Sequence, residues 1–333
     1  MFNVSNLILY LPVLVSLLSS TVIAEELSSI AFTLENDGII RKDQGYTSGM
    51  FFSYNSQATD SIANSAPNGV KHLASLLAMN KQYLQAWQVI IGQQIWTPVD
   101  IEITVEQADS RPYAGLFFVQ TNFFELSPRL TNKYSFMFGS VGPNSYGEKS
   151  QRWLHNLIGS PPPLGWENQI YNQWVYLLGI ERQRLLIRNN VQSTYGYDIS
   201  WTSRISIGNY KSEIALGAFY RWGINLNESF GSVGFTPGNY LDASLLSSSN
   251  SGSFVYIGSE VRYRFNDITI EGDRPKHIYD INIEHWQTTS ILGITHYQNN
   301  YGISFNLAFS SPEYIQDQNT ISTTGTIEFF LRF

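Results

Sequence analysis

Five short stretches of the 333-residue chain gather side chains fit for polar chemistry. Glu35-Asn36-Asp37 puts two carboxylates around an amide. Tyr46-Thr47-Ser48-Gly49 adds hydroxyls, and Ser110-Arg111-Pro112-Tyr113-Ala114-Gly115 supplies a guanidinium. Gln151 and His155 stand four apart in a run, Glu148 to Leu157, that reads as a short helix, so both share one helix face. Gly165-Trp166-Glu167-Asn168-Gln169 follows. The imidazole is a side chain that exchanges a proton near neutral pH. Each stretch also has an ordinary reading. Asn-Asp is a common turn pair, a lone loop histidine is often incidental, and Arg111 can simply pair with a carboxylate inside the fold.

The elements that must position these residues are strands. Charged residues make up only 14% of the chain, against roughly 25% in a typical soluble domain, while aromatics reach 14%. After Ala24 no apolar run is long enough for a membrane helix, which needs about 20 residues. A transmembrane β-barrel needs neither high charge nor such a run, because residues facing outward and inward alternate. That alternation recurs over about ten residues at a time. Ile214, Leu216, Ala218, Tyr220, Trp222, Ile224 and Leu226 interleave with Glu213, Ala215, Gly217, Phe219, Arg221, Gly223 and Asn225. Tyr195 to Ile207 and Val255 to Phe265 repeat the pattern, the latter with Glu260, Arg262 and Arg264 on one face. The last stretch sets Ile327, Phe329, Leu331 and Phe333 against Glu328 and Arg332 and ends the chain on an aromatic. A soluble β-sandwich is the competing architecture, but its strands are shorter, roughly five or six residues.

The expected fold is therefore all-β: an antiparallel up-and-down transmembrane barrel with a short helix in an outer loop. Twelve strands are expected at 28–36, 46–56, 84–95, 112–126, 131–142, 172–187, 192–208, 212–227, 252–266, 280–296, 299–310 and 321–333, an even number as closure requires. Two inserts interrupt them. Residues 57–83 hold a short helix at Val70 to Leu77, and the Ser-, Gly- and Asn-rich residues 228–251 read as a loop. Leu7 to Ala24 is apolar, and Val22-Ile23-Ala24 suits cleavage. Residues 1–24 are thus expected to be a signal peptide and 25–333 the barrel domain, with a retained anchor as the alternative for the leader. There are no cysteines, which excludes thiol chemistry, and the net charge of −7 argues against a nucleic-acid partner.

With a periplasmic N-terminus, the connections after the first, third and fifth strands face the cell exterior, and these carry the polar stretches. Met50, Phe52 and Tyr54 would face lipid, which turns Thr47, Gly49 and Phe51 inward. Phe32 and Leu34 facing lipid likewise turn Glu35 and Asp37 inward. Asp37 and Thr47 are thus expected together inside the outer rim, with the helix face of Gln151 and His155 closing over them.

Taken in order, Glu-Asn-Asp (35–37), Tyr-Thr-Ser-Gly (46–49), Thr97-Pro98, Arg-Pro-Tyr-Ala-Gly (111–115), Gln151 through Gly159 and Gly-Trp-Glu-Asn-Gln (165–169) make the chain resemble the outer-membrane lipid A 3-O-deacylase family. The later half of the chain matches only as barrel strands. The resemblance implies a twelve-stranded outer-membrane barrel, with a calcium-dependent site that hydrolyses the 3-linked acyl ester of lipid A, the lipid anchor of lipopolysaccharide. It implies that His155 is the base that activates water and that Gln151 orients it. It also implies that Asp37 and Thr47 belong to the calcium site, where hard oxygen ligands are suited, with Asn36 a polar site residue. The family's lysine in the second outer connection has no counterpart between Pro98 and Arg111, where Glu102 and Glu106 stand; Arg111 is the candidate replacement for its charge. The acidic residue expected after the histidine helix is replaced by Ser160-Pro161-Pro162-Pro163. Other expectations for the same chain are a catalytically silent barrel with a structural or binding role, a serine-dependent phospholipase, for which no ordered match exists, and a narrow channel, which a side-chain-filled lumen disfavours.

Overall fold

The computed structural model describes residues 27–37, 45–190, 195–275 and 281–333. The expected leader, 1–24, lies outside them. Twelve antiparallel strands close into one barrel. In chain order they are β1 (Ser29–Asn36), β2 (Gly45–Asn55), β3 (Leu84–Thr97), β4 (Ala114–Ser127), β5 (Leu130–Val141), β6 (Gln173–Asn190), β7 (Gly196–Gly208), β8 (Lys211–Ile224), β11 (Ser251–Asp267), β12 (Trp286–Gln298), β13 (Tyr301–Ser310) and β14 (Ser322–Arg332); β9 (Val233–Thr236) and β10 (Asn239–Leu241) form a separate two-stranded ribbon. Closure pairs β1 with β14, from Ser29 opposite Arg332 to Asn36 opposite Gly325. The expected strands agree within a few residues except the tenth, which begins at Trp286 rather than 280 because the preceding segment makes its own bridge, Ile283 to Tyr314.

Alternation dictates what each face holds. On β8, Ile214 and Leu216 are 47% and 56% exposed on the apolar outer wall, while Glu213, Ala215, Phe219 and Arg221 are buried inside. The outer wall is apolar, as a barrel's outer face is where it would meet lipid, and the lumen takes the charges because they can pair there.

The lumen is more completely filled than strand side chains alone would achieve. The rim where β1 ends and β2 begins is here the upper rim. Residues 225–250 join β8 to β11 at the lower rim, and instead of forming a surface loop they turn up into the barrel. Val233, Phe235, Tyr240, Leu241 and Leu246 of this segment bury against inward-facing Phe219, Phe254, Tyr256, Tyr297 and Phe330. This corrects the expectation of a loop at 228–251. The polar residues of the segment are the ones that satisfy its backbone, and its spaced apolar residues find their cover inside the lumen. Arg221 clamps the root, bonding Asp198 at 2.9 and 2.7 Å and the carbonyls of Ser229 and Leu226 at 2.7 and 2.9 Å. Lys133 holds Asp242 at 3.0 Å. At the tip the amide of Gly238, whose positive φ of 75° suits glycine, donates to Glu35 near the top of β1 at 2.6 Å.

Helices α1 (Ile62–Ser65) and α2 (Asn68–Ala74) lie in the lower connection, α2 starting and ending slightly earlier than expected. Helix α3 (Gly147–Ile158) is the expected helix at the upper rim, and α4 (Ile268–Glu271) follows β11.

Candidate functional site at the upper rim

A bulge decides where the site lies. In the pairing of β2 with β3, Tyr46 faces Trp96 and Ser48 faces Ile95, so Thr47 is the extra residue between them. Tyr46 points inward, its hydroxyl donating to Glu35. Thr47 instead turns to the outer face, where its hydroxyl lies 2.8 Å from that of Thr97. Thr97 is on that face because Trp96 beside it lines the lumen. The expectation of an inward Thr47 extended the strand's two-residue alternation through a position where the bulge resets it. Asn36 joins Thr47 by donating its side-chain amide to the Thr47 carbonyl at 3.1 Å, and the Asp37 amide donates to the same oxygen at 3.2 Å. Asn36, Asp37, Thr47 and Thr97 therefore converge at the tops of β1, β2 and β3.

The helix closes on the outside of the wall, not over the mouth. Gly115 lies on the outer face of β4, between inward Ala114 and Leu116, and packs against Ser145 and the backbone of Gly147; any side chain there would strike Ser145 Oγ. Gln93, on the outer face of β3, donates to the Ser145 carbonyl at 2.6 Å. Trp166 is buried with Ile95, Ile101 and Tyr113, its ring 4.7 Å from that of Tyr113. These apolar groups on the outer face need cover, and the 142–172 connection supplies it by folding down the wall, with α3 packed on β3 and β4.

Within α3, Gln151 and His155 face the barrel and are 2% and 5% exposed, while Trp153 and Leu157 on the opposite face are exposed. The helix stops at Gly159, which takes a left-handed conformation (φ 74°) and caps the His155 carbonyl. That turn returns the proline run toward the helix, and the Pro161 carbonyl comes 2.6 Å from His155 Nδ1. A carbonyl can only accept, so Nδ1 carries the proton and Nε2 is the basic nitrogen. The sequence-based assignment of Gln151 as the group that orients His155 does not match this geometry: Pro161 holds the histidine, and the Gln151 amide oxygen instead accepts from Trp166 Nε1 at 2.8 Å. No side-chain pattern signals an acceptor on the backbone, so only the capping Gly159 hints at it.

Arg111 is not part of this cluster. It is 1% exposed, turned to the lumen, ion-paired to Glu313 and bonded to Thr269 at 2.9 Å, with its guanidinium 5.5 Å from the Trp96 ring. The ordinary reading of Arg111 as partner to an internal carboxylate is the one realised; Arg111 precedes β4, so strand alternation does not set its direction. Burial pushes the Glu313 carboxyl up, but Arg111, Lys211 and Arg264 outweigh it and hold its pKa at about 2.

The donors gathered at the strand tops, the Asp37 carboxylate and the hydroxyls of Thr47 and Thr97, are hard oxygens that fit a calcium ion better than a soft metal. Among the described residues no three His, Cys, Asp or Glu side chains cluster as a metal cage, so carbonyls and water would have to complete such a shell.

The family model of the outer membrane protein LpxR matches residues 7–333. The solved structure of LpxR from Salmonella typhimurium superposes with a TM-score of 0.77 at 16% identity, covering 92% of this chain and 100% of that one. The β domain of the Bordetella autotransporter BrkA reaches a TM-score of 0.44 at 6% identity, covering 93% of this chain and 99% of that one. No curated protein matches the chain.

Proposed function

The chain belongs to the LpxR family of outer membrane proteins, and from that premise we propose that it is a lipid A 3-O-deacylase whose upper rim faces the cell exterior. The observation that carries this is the histidine: a buried imidazole with Nδ1 engaged by Pro161 and Nε2 left as base, on the outer wall where a leaflet lipid arrives sideways. In the reaction, water gives a proton to His155 Nε2 as its oxygen bonds to the ester carbonyl carbon. The carbonyl electron pair moves to oxygen and returns as the bond to the sugar oxygen breaks. The sugar oxygen takes the proton from Nε2, releasing a fatty acid and a free hydroxyl. Asp37 and Thr47 would hold calcium, which when bound supplies positive charge to polarise the ester carbonyl. Asn36 braces Thr47 through its carbonyl, keeping the two strand tops together.

A catalytically silent barrel is the second reading, and the lumen-facing ion pair of Arg111 favours it, since that cation cannot serve the outer wall. Mass spectrometry of lipid A from cells with and without the protein decides between them. Loss of one 3-linked acyl chain in the presence of calcium, reversibly blocked by chelation, is expected; an unchanged lipid A supports the silent barrel.

A further inference from the structure

Resting on the deacylase reading, the geometry points to Trp166 as a positioning residue that aims the Gln151 amide at the scissile ester, making Gln151 a donor to the carbonyl oxygen as negative charge develops there. The argument begins with the chemistry of the indole, which has a donor and no acceptor. Its Nε1 lies 2.8 Å from the Gln151 side chain, so the atom it meets must be the amide oxygen, and the orientation of the amide follows without ambiguity. The amide nitrogen then points the other way. Gln151 is 2% exposed, and that nitrogen has no hydrogen-bond partner among the described residues. A buried amide donor left unpaired is costly, which natural structures tolerate where a ligand supplies the acceptor.

Its location fits that acceptor. Gln151 is one turn before His155 on the barrel-facing side of α3, so an ester attacked by water at His155 Nε2 lies beside it. Trp166 is itself closely packed. Its ring is buried with Ile95, Ile101 and Tyr113, and Gly165 before it sits at φ 85°, packed against the carbonyl of Ile103. The donor is thus held in place before substrate arrives, which is the condition under which such donors lower a barrier.

Trp166→Phe keeps the packed ring and removes the N–H, and Gln151→Met keeps the volume and removes the donor. Both are assayed on purified lipid A with calcium, beside heat-modifiable gel mobility as the measure of folding. Gln151→Met should lower kcat by about 10²–10³-fold, the usual cost of one such donor. Trp166→Phe should lower kcat by about tenfold with KM unchanged, because the amide is no longer confined to one orientation. The double variant should match Gln151→Met alone, as for residues that act as a unit. Trp166→Phe at wild-type kcat, a loss confined to KM, a loss that tracks lost folding, or additive losses in the double variant would each overturn the assignment while leaving the deacylase reading intact. A wild type that releases no acyl chain removes both.

Discussion

The lumen and the outer-wall cleft share strands β1 to β4 but treat polar groups in opposite ways. In the lumen nearly every charge is answered. Arg204 meets Glu260 at 2.6 Å and also Glu213, Arg264 meets Glu213 and Asp267 at 3.0 Å, and Lys211 meets Asp267 at 3.1 Å. The cleft has few charges, and two of its nitrogens, His155 Nε2 and the Gln151 amide, meet no hydrogen-bond partner among the described residues. On the deacylase reading, charge density is therefore a poor guide to the reactive part of the molecule. Paired charges hold the barrel and its 225–250 plug together, and the proposed chemistry would fall to a few groups left partly unsatisfied.

Removing one group from each region tests the contrast most sharply. His155→Ala should lower the deacylation rate by about 10²–10⁴-fold while the barrel keeps its heat-modifiable mobility; an unchanged rate would show that the cleft is not where chemistry happens. Asp198→Ala should do the reverse. It strands Arg221 and Arg188, which bond Asp198 at 2.7 and 3.1 Å, and losing one member of a buried pair costs about 3–5 kcal/mol. Denaturant unfolding should show that loss, with kcat per folded molecule retained. A kcat that falls in step with His155→Ala would mean that the plug and the cleft are coupled.

A smaller effect concerns acid. The Glu313 pKa lies below its ordinary value, so its contribution to stability is complete above about pH 4.5 and is lost as pH falls toward about 2. Glu313→Gln should therefore flatten the loss of stability between those values, measured as the unfolding midpoint against pH. Because Glu313 anchors Arg111 on the lumen side, activity at neutral pH should change little, and a large drop there would bring Arg111 back into the functional site.

The leading features of the barrel were legible along the chain because a two-residue period is a local property. The exposed and buried faces of β8 and β14 follow from alternation alone. So did helix α3, where Gln151 and His155 share a face at a spacing of four. The insert at 225–250 was not legible in this way. Its Ser and Gly residues resemble a loop, and its Phe235, Tyr240 and Leu246 have no period; only the apolar faces of Phe219, Phe254 and Phe330 inside the lumen show what they cover.

By itself the sequence determined the strand count, the apolar wall, the charged interior and the membership of Asn36, Asp37, Thr47, Gln151 and His155 in one rim. Three matters were decided only by the tertiary structure. Thr47 turns outward because a bulge against β3 resets a register that no single strand contains. Arg111 turns inward to Glu313, 202 positions away. The proton on His155 is placed by a carbonyl that Gly159 swings back into reach. Each depends on a partner brought close by closure or by a turn, and the energy of such a contact is absent from the local pattern of side chains.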